Sequence, residues 1–441
     1  MPLDPNESSR ETALLRLLHE RRATVGVIGL GYVGLPLVVA LGEAGFPTLG
    51  FDLSERLVDG LNRGESHIGD IAAERVAALR ETNRFEATTD ATRLSECDAI
   101  LICVPTPLSP SRDPDLRAVE GAMRSVAATL RPNQLVVLES TTYPGTTDEV
   151  ARPILEAGGL DATRDFFLAF SPERIDPGNR AFPIGKVPKV VGGHDAAGLA
   201  VAQALYNTIV ERTVPVSSTQ AAELTKLLEN IFRSVNIALV NEMALLCDRM
   251  NIDVWEVIDA ASTKPYGFTR FLPGPGLGGH CIPVDPFYLS WKARQLDFQT
   301  HFIELAGEVN RAMPHHVVEL IARALNDDGL PVKNTEIALL GLSYKADIGD
   351  CRESPSLRVA ELLLERGAVL SYNDPFVPAA TIRGQRFESQ PLETLSPARC
   401  AVLLTNHSAY DYGALAELFS LVVDTRNAFK DVNGRARVVK L

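Results

Sequence analysis

Residues 24–42 read Thr-Val-Gly-Val-Ile-Gly-Leu-Gly-Tyr-Val-Gly-Leu-Pro-Leu-Val-Val-Ala-Leu-Gly, a run without a single charge. It is long enough to cross a bilayer as one helix. A buried parallel strand, a turn and a buried helix in succession look the same, because strands covered on both faces are apolar throughout. Gly29, Gly31, Gly34 and Pro36 break the run where a strand would end and a helix begin. We therefore read it as strand, turn and helix of an α/β domain.

The glycines of that turn serve different ends. One permits the sharp bend, one lets backbone approach a pyrophosphate, and one lets the helix lie close on the strand. Asp52 ends the next strand-like run. A carboxylate there accepts hydrogen bonds from ribose hydroxyls and repels a 2′-phosphate, which favours NAD over NADP. Arg56 weakens that preference, since a nearby arginine can hold a phosphate. A plain tight turn is the alternative. Gly29, Gly31, Tyr32, Val33, Gly34, Asp52 and Arg56 are the candidate cofactor residues on this segment.

Outward from this point the chain alternates. Strands are expected at 24–29, 47–52, 98–103 and 134–139, then near 166–170, 188–192 and 213–216, with helical patterns between them. Such alternation implies a parallel sheet. Residues 1–22 form a polar lead in which ETALLRLLHERR has an amphipathic helical pattern. From about 218 the period changes: Leu224, Leu227, Leu228, Ile231, Val235, Ala238 and Leu239 recur at helical spacing, and helical patterns continue through 251–261 and 301–325. Such a helix is a natural dimer surface, with core packing inside one chain as the alternative. The last part echoes the first: EIALLGL at 336–342 resembles TVGVIGL, AVLSYNDP at 368–375 resembles PTLGFDLS, CAVLLTN at 400–406 resembles DAILICV, and LVVDTRN at 421–427 resembles LVVLEST.

The expected fold class is α/β, two Rossmann-like doubly wound domains joined by a central helical region. The boundaries are 1–217, 218–325 and 326–441. The second first-turn, GLSYKADIGD, lacks three close glycines and is not expected to bind another dinucleotide in the same way.

Bulk properties narrow the function. A chain of 441 residues implies two or three domains. A net charge of −13 argues against nucleic acid or an anionic membrane as the main partner, while leaving room for anionic small ligands. The six cysteines form neither a C-x-x-C pair nor a metal-ligand spacing, so no metal is expected. Cys97, Cys103, Cys247 and Cys400 lie among apolar residues and read as inert. A reduced compartment and a polar, acidic start without a signal peptide point to the cytoplasm.

Residues 276–286, Gly-Leu-Gly-Gly-His-Cys-Ile-Pro-Val-Asp-Pro, present Cys281 on a glycine-rich loop with Asp285 shortly after it. A structural cysteine is the ordinary alternative, but this is not a core pattern. A reactive thiolate needs exposure and positive neighbours, which Lys226 or an arginine can supply. His280 is a lesser candidate. Glu223, Lys226, Asn230 and Arg233 share one helix face. That stripe is either solvated, with Lys226 paired to Glu229, or it faces a cleft where a lysine steadies an oxyanion. In Ser171-Pro-Glu173-Arg174-Ile-Asp176-Pro-Gly, Glu173 is a candidate base, with Arg174 and Asp176 as substrate contacts. VPTP at 104–107, with Pro105 and Thr106, and EST at 139–141, with Thr141, follow strands at the edge where ligands bind in open α/β sheets. Helix capping is the alternative for both threonines.

With these residues in hand, the chain resembles the UDP-glucose/GDP-mannose dehydrogenase family from about residue 24 to 430. The motifs are GLGYVG, VPTP, SPERIDPG, KLLEN, GPGLGGHCIPVDP and GLSYKADIGDCRESP. SPERIDPGN and GPGLGGHCIPVDPFYL look like the bacterial UDP-N-acetylglucosamine 6-dehydrogenases. Arg174 stands where UDP-glucose members carry an aromatic, which disfavours UDP-glucose. The resemblance implies a four-electron, NAD-dependent oxidation of a sugar C6 alcohol through a thiohemiacetal and thioester on Cys281, serving surface polysaccharide synthesis. It assigns Lys226 and Asn230 to the oxyanion, and Asp285, Glu173 and Thr141 to protons and water. Lys345, Gly278, Arg174 and Arg270 go to the UDP-sugar, Arg270 from across a dimer, and Arg352 goes to NAD. UDP-glucose and UDP-N-acetylmannosamine are the alternative substrates. A two-electron hydroxyacid dehydrogenase would need neither Cys281 nor the second α/β half, and a non-catalytic binding protein would tolerate loss of Lys226, Cys281 or Asp285. A homodimer or higher homo-oligomer is implied.

Overall fold

A computed structural model of the chain describes residues 5–109, 111–174, 182–279, 282–395 and 398–441. Two compact units divide it, Met1–Glu229 and Asn230–Leu441. The helix Thr219–Met250 runs through the division.

In the first unit the uncharged run is strand β1 (Val25–Ile28), a turn, and the helix Gly34–Glu43. Among the described residues no helix is long and apolar enough to cross a membrane. The other strands are β2 (Thr48–Phe51), β3 (Phe85–Thr88), β4 (Ala99–Ile102), β5 (Leu135–Leu138), β6 (Phe167–Phe170), β7 (Lys189–Gly193) and β8 (Thr213–Val216). They form one sheet in the order β3-β2-β1-β4-β5-β6-β7-β8. The order reverses between β1 and β4, which opens the crevice where open α/β sheets take their ligands.

Both faces of the central strands are covered, which is why those strands are apolar without alternation. Ala99 and Leu101 pack into the cluster holding Leu14, Leu18 and Val38, while Ile100 and Ile102 pack with Val119 and Met123 on the opposite face. β3 was not anticipated. It is an edge strand with Glu86 exposed between buried Phe85 and Ala87, so it carries no apolar run. The pairing is parallel except between β6 and β7, where Phe170 lies opposite Gly192. This reversal brings the start of β7, Lys189, to the carboxyl edge of the sheet, next to the segment that follows β6.

The second unit holds β9 (Glu336–Leu340), β10 (Val369–Asn373), a hairpin of β11 (Ala379–Ile382) and β12 (Gln385–Glu388), then β13 (Cys400–Leu403), β14 (Leu421–Asp424) and β15 (Arg437–Lys440). Its parallel sheet runs β10-β9-β13-β14-β15. Ile337 and Leu339 face one core cluster, Ala338 and Leu340 the other, so this sheet too is covered on both sides. Helices Val254–Ala261, Asp285–Gln295 and His301–Asp327 belong to the same unit.

The long helix splits its apolar residues. Leu227, Ile231 and Ala238 are buried, whereas Leu228 is 63% exposed, Leu239 55% and Met250 57%. Leu224, Phe232, Met243 and Leu246 extend this exposed stripe.

Gly34 and Gly31 differ in what surrounds them. A Cβ at Gly34 would lie 1.8 Å from the Gly29 carbonyl oxygen, whereas one at Gly31 meets nothing within 4 Å. Gly34→Ala is therefore expected to cost about 3 kcal/mol or more, and Gly31→Ala to stay within about 0.5 kcal/mol. Denaturant unfolding of both variants checks this, and equal losses would contradict it.

Candidate active site

The turn after β1 is built as a cradle. Gly29 has φ +87°, and a Cβ there would lie 2.7 Å from the Cys103 carbonyl oxygen on the neighbouring strand end. The helix Gly34–Glu43 begins at Val33 without a side-chain cap. Its first N–H groups and positive end suit a phosphate. Asp52 Oδ2 accepts from Leu30 N (3.0 Å) and Oδ1 from Ser54 N (3.0 Å), which fixes the carboxylate beside the turn. Tyr32 and Arg56 are exposed at the rim and Val33 is half-buried. The loop after β4 carries exposed Pro105 and half-buried Thr106. Ser140 Oγ donates to Val104 O (2.8 Å), tying the Thr141 loop after β5 to it. Open space before Gly31, an uncapped helix start and an oriented acid fit a dinucleotide of the NAD type.

The segment after β6 presents Glu173, buried, with Oε1 accepting from Arg174 N (2.6 Å) and Oε2 3.7 Å from Lys189 Nζ. The Arg174 guanidinium is held by Glu229 (2.7 Å) and donates to Pro188 O. Glu229 is therefore not the partner of Lys226. Lys226 is 8% exposed and has no carboxylate within 4.0 Å among the described residues.

Glu223, one turn before Lys226, is fully buried. It accepts from Gly145 N (2.6 Å), Thr147 N (2.8 Å) and Thr147 Oγ1 (2.7 Å). It holds the π-helical turn Thr147–Ala151 to the long helix and leaves the solvated stripe that the sequence allowed.

In the second unit, Asn230 Nδ2 donates to Asp285 Oδ2 (2.5 Å), both side chains being buried. Asp285 opens the helix Asp285–Gln295, so the end of the cysteine loop is anchored on the long helix. The start of that loop is anchored elsewhere. A Cβ at Gly278 would lie 2.6 Å from Tyr344 Cβ, one at Gly279 would lie 2.8 Å from the Tyr344 ring, and Gly279 N donates to Arg352 O. Only glycine lets this backbone lie against the segment carrying Lys345 and Arg352. Lys345 is half-buried, its carbonyl accepting from Ser343 Oγ (2.8 Å). Arg352 forms a two-pronged pair with Asp350 (2.8 and 3.0 Å). Arg270 is exposed and paired with Asp259 (2.5 Å). Cys281, His280 and Asp176 lie outside the described residues. Cys97, Cys103, Cys247, Cys351 and Cys400 are free thiols, and burial pushes Cys351 up to about 12.

The first turn of the second sheet is filled from within. Asp374, at the position matching Asp52, accepts from Leu342 N (2.7 Å) and Ser343 N (3.1 Å), and lies 3.1 Å from Nε2 of fully buried His407. Burial works against the Asp374 carboxylate, but the hydrogen bond from His407 and its charge hold the pKa below the ordinary value.

Three charged residues were missed. Glu139 and Lys189 are lone charges at the ends of apolar runs, LVVLEST and VPKVVGG, which was the available signal; His407 had none.

Burial is the largest influence on Glu223 and pushes it up to about 7 from its ordinary 4.5, against the bonds from Thr147 and Gly145. The folded carboxyl thus keeps its proton to higher pH than the unfolded one. Its contribution is full below 4.5 and is lost as pH rises through about 7. The stability of the parent relative to Glu223→Gln should fall by about 3 kcal/mol between about pH 4 and pH 8. Unfolding at several pH values checks this, and a difference that grows with pH would contradict it.

Known proteins resemble this chain in sequence and fold. Residues 23–210, 220–312 and 338–431 match the NAD-binding, central and UDP-binding domains of the UDP-glucose/GDP-mannose dehydrogenase family. The chain is 39% identical to a UDP-N-acetyl-D-mannosamine dehydrogenase of Salmonella typhi over 77% of this chain and 82% of that one. It is 35% identical to a UDP-N-acetyl-D-glucosamine 6-dehydrogenase of Pseudomonas aeruginosa over 80% and 83%. The solved structure of a UDP-D-ManNAc dehydrogenase from Pyrococcus horikoshii superposes with a TM-score of 0.87 at 30% identity, covering 95% of this chain and 98% of that one. The chain belongs to the UDP-glucose/GDP-mannose dehydrogenase family and is an NAD-dependent nucleotide-sugar dehydrogenase.

Proposed function

We propose that this enzyme oxidises the C6 alcohol of UDP-N-acetylglucosamine to the carboxylate in two successive two-electron steps through an adduct on Cys281, supplying a uronic acid for surface polysaccharide. The observation that carries this reading is the seating of Gly278 and Gly279 against Tyr344. It sets the loop leading to Cys281 beside the segment of Lys345, in a chain whose last domain matches the family's UDP-binding domain. In this reading residues 1–217 hold NAD, 326–441 hold the UDP-sugar, and 218–325 supply the cysteine loop and a dimer face.

NAD, when bound, would supply the acceptor for the hydride lost at each oxidation. Gly29, Gly31, Tyr32, Val33, Gly34, Asp52, Arg56, Pro105, Thr106 and Arg352 are assigned to hold it. The Cys281 thiolate adds to the C6 aldehyde, forming a C–S bond, and the new alkoxide takes a proton. Loss of hydride and that proton leaves a thioester. Water then attacks the thioester carbon, the C–S bond breaks with its electrons on sulfur, and the sugar carboxylate departs. The Lys226 ammonium and the Asn230 amide steady the oxyanion. Asp285, bonded to Asn230, keeps that amide aimed. Glu173 takes the proton of the attacking water, and Thr141 holds the water. Arg174, with Glu229 beside it, Lys226, Gly278, Lys345 and Arg270 are assigned to the substrate. We infer a cytoplasmic enzyme from the reaction itself, which draws on NAD and a nucleotide-activated sugar.

The same chemistry on UDP-N-acetylmannosamine is the second reading, favoured by relatives of that name at similar identity. NADH formed at exhaustion of a limiting sugar discriminates. Two NADH per UDP-N-acetylglucosamine, with UDP-N-acetylmannosamine and UDP-glucose inert, is the expected result. Two NADH only with another of these sugars would keep the mechanism and overturn the substrate. One NADH would overturn the role of Cys281, as would full turnover to the acid by Cys281→Ala.

We further propose that a second copy covers the exposed stripe of the long helix. Leu224, Leu228, Phe232, Leu239, Met243, Leu246 and Met250 keep helical spacing along its whole length, an unusual amount of apolar surface to leave in water. Leu228→Glu with Phe232→Glu should convert a homodimer or larger oligomer to monomer in sedimentation. An unchanged mass would contradict this.

A further inference from the structure

Beneath Glu173 lies a buried set of ionisable groups drawn from five elements. Lys189 Nζ, on β7, is 2.7 Å from Glu139 Oε2, at the end of β5, and 3.7 Å from Glu173 Oε2, after β6. Glu139 Oε1 accepts from Tyr206 Oη (2.5 Å), on the helix Ala196–Tyr206, and the ammonium stands 4.9 Å from the Tyr206 ring centre. Cys103, after β4, completes the set, and burial lifts both its thiol and the Tyr206 phenol well above their ordinary values. Arg174 has its guanidinium on Glu229. Lys189 is 5% exposed and Glu139 1%, too buried for water to screen them. Burial disfavours the Lys189 ammonium, but Glu139 and Glu173 more than offset it and raise its pKa. Among the described residues, Lys189 faces two carboxylates, Glu139 and Glu173. Glu173 and Lys189 both line a small cleft with Pro172, Arg174 and Val187, so the acid end of the set opens to it.

We propose that Lys189 is a positioning residue for Glu173, its ammonium holding that carboxylate in place to receive the proton of the hydrolytic water, with Glu139, itself held by Tyr206, sharing the ammonium. In the step, an O–H bond of water breaks, its proton goes to Glu173, and the oxygen joins the thioester carbon as sulfur leaves. The reversal of β7 has a functional consequence here, since a parallel β7 would begin at the opposite edge of the sheet. The inference rests on the assignment of Glu173 to that proton.

Two substitutions should act in opposite directions. Lys189→Met removes the cation, so the acid-side fall of kcat should move up by about one pH unit. Glu139→Gln removes the other carboxylate from Lys189, so the fall should move down. Lys189→Arg should restore the parental profile. The profiles are measured with NAD and whichever of UDP-N-acetylglucosamine and UDP-N-acetylmannosamine yields NADH, with KM for both substrates followed alongside. Shifts in the same direction, or none, would overturn the inference, and if Lys189→Met does not fold, the sign for Glu139→Gln decides. Glu173→Gln separates the two claims. Full turnover by that variant removes the role given to Glu173, whereas an inactive Glu173→Gln with unmoved profiles in the others removes only the role given to Lys189.

Discussion

Each half of this molecule depends on an aspartate at the end of a strand reaching back to hold the first turn of its sheet. Asp52 takes the N–H of Leu30, and Asp374 takes those of Leu342 and Ser343. The bond fixes the turn relative to the neighbouring strand, and the helix or loop that follows starts from there. The two halves then diverge through what surrounds the carboxylate. Around Asp52, Gly31 leaves open space and the helix start is uncapped, so donors and room remain for a dinucleotide. Around Asp374, the ring of His407 fills the place and its Nε2 faces the carboxylate. The same backbone device is thus a binding site in one sheet and an internal clamp in the other.

A second constraint concerns the cysteine loop. Its glycines pack where no side chain fits, against Tyr344, and its far end is tied through Asp285 to Asn230. With both described ends of that segment fixed, the proposed covalent reading needs less ordering when a substrate arrives. The long helix contributes to this directly, since it carries Asn230.

The sequence was most legible where burial is most complete. β1, β4, β5 and β13 lie under cover on both faces, so their residues are apolar throughout and their edges are marked by glycine, proline or a charge. β3, β15 and the hairpin β11–β12 are partly exposed, mix polar with apolar residues, and gave no run to read. The direction of β7 was not legible, because parallel and antiparallel neighbours of β6 require the same side chains. Among the candidate site residues, helical spacing singled out Asn230 and the glycine-rich loop singled out Gly278 and Asp285, while Lys345 came with the family resemblance. Partnerships across long sequence separations were hidden. Glu223 caps a turn 76 residues away, and Arg174 claims the Glu229 that helical spacing offered to Lys226. Periodicity places residues on a face but does not say what covers that face.

The covalent step is the centre of the account, and trapping it is the most direct test. The Glu173→Gln enzyme, quenched in acid while supplied with NAD and a UDP-N-acetylhexosamine, should carry the sugar as a thioester on the peptide containing Cys281, seen by peptide mass mapping. Parental enzyme quenched the same way should show less of it, because hydrolysis keeps pace. NADH production with no adduct on that peptide, or an adduct on Cys351 instead, would contradict the account.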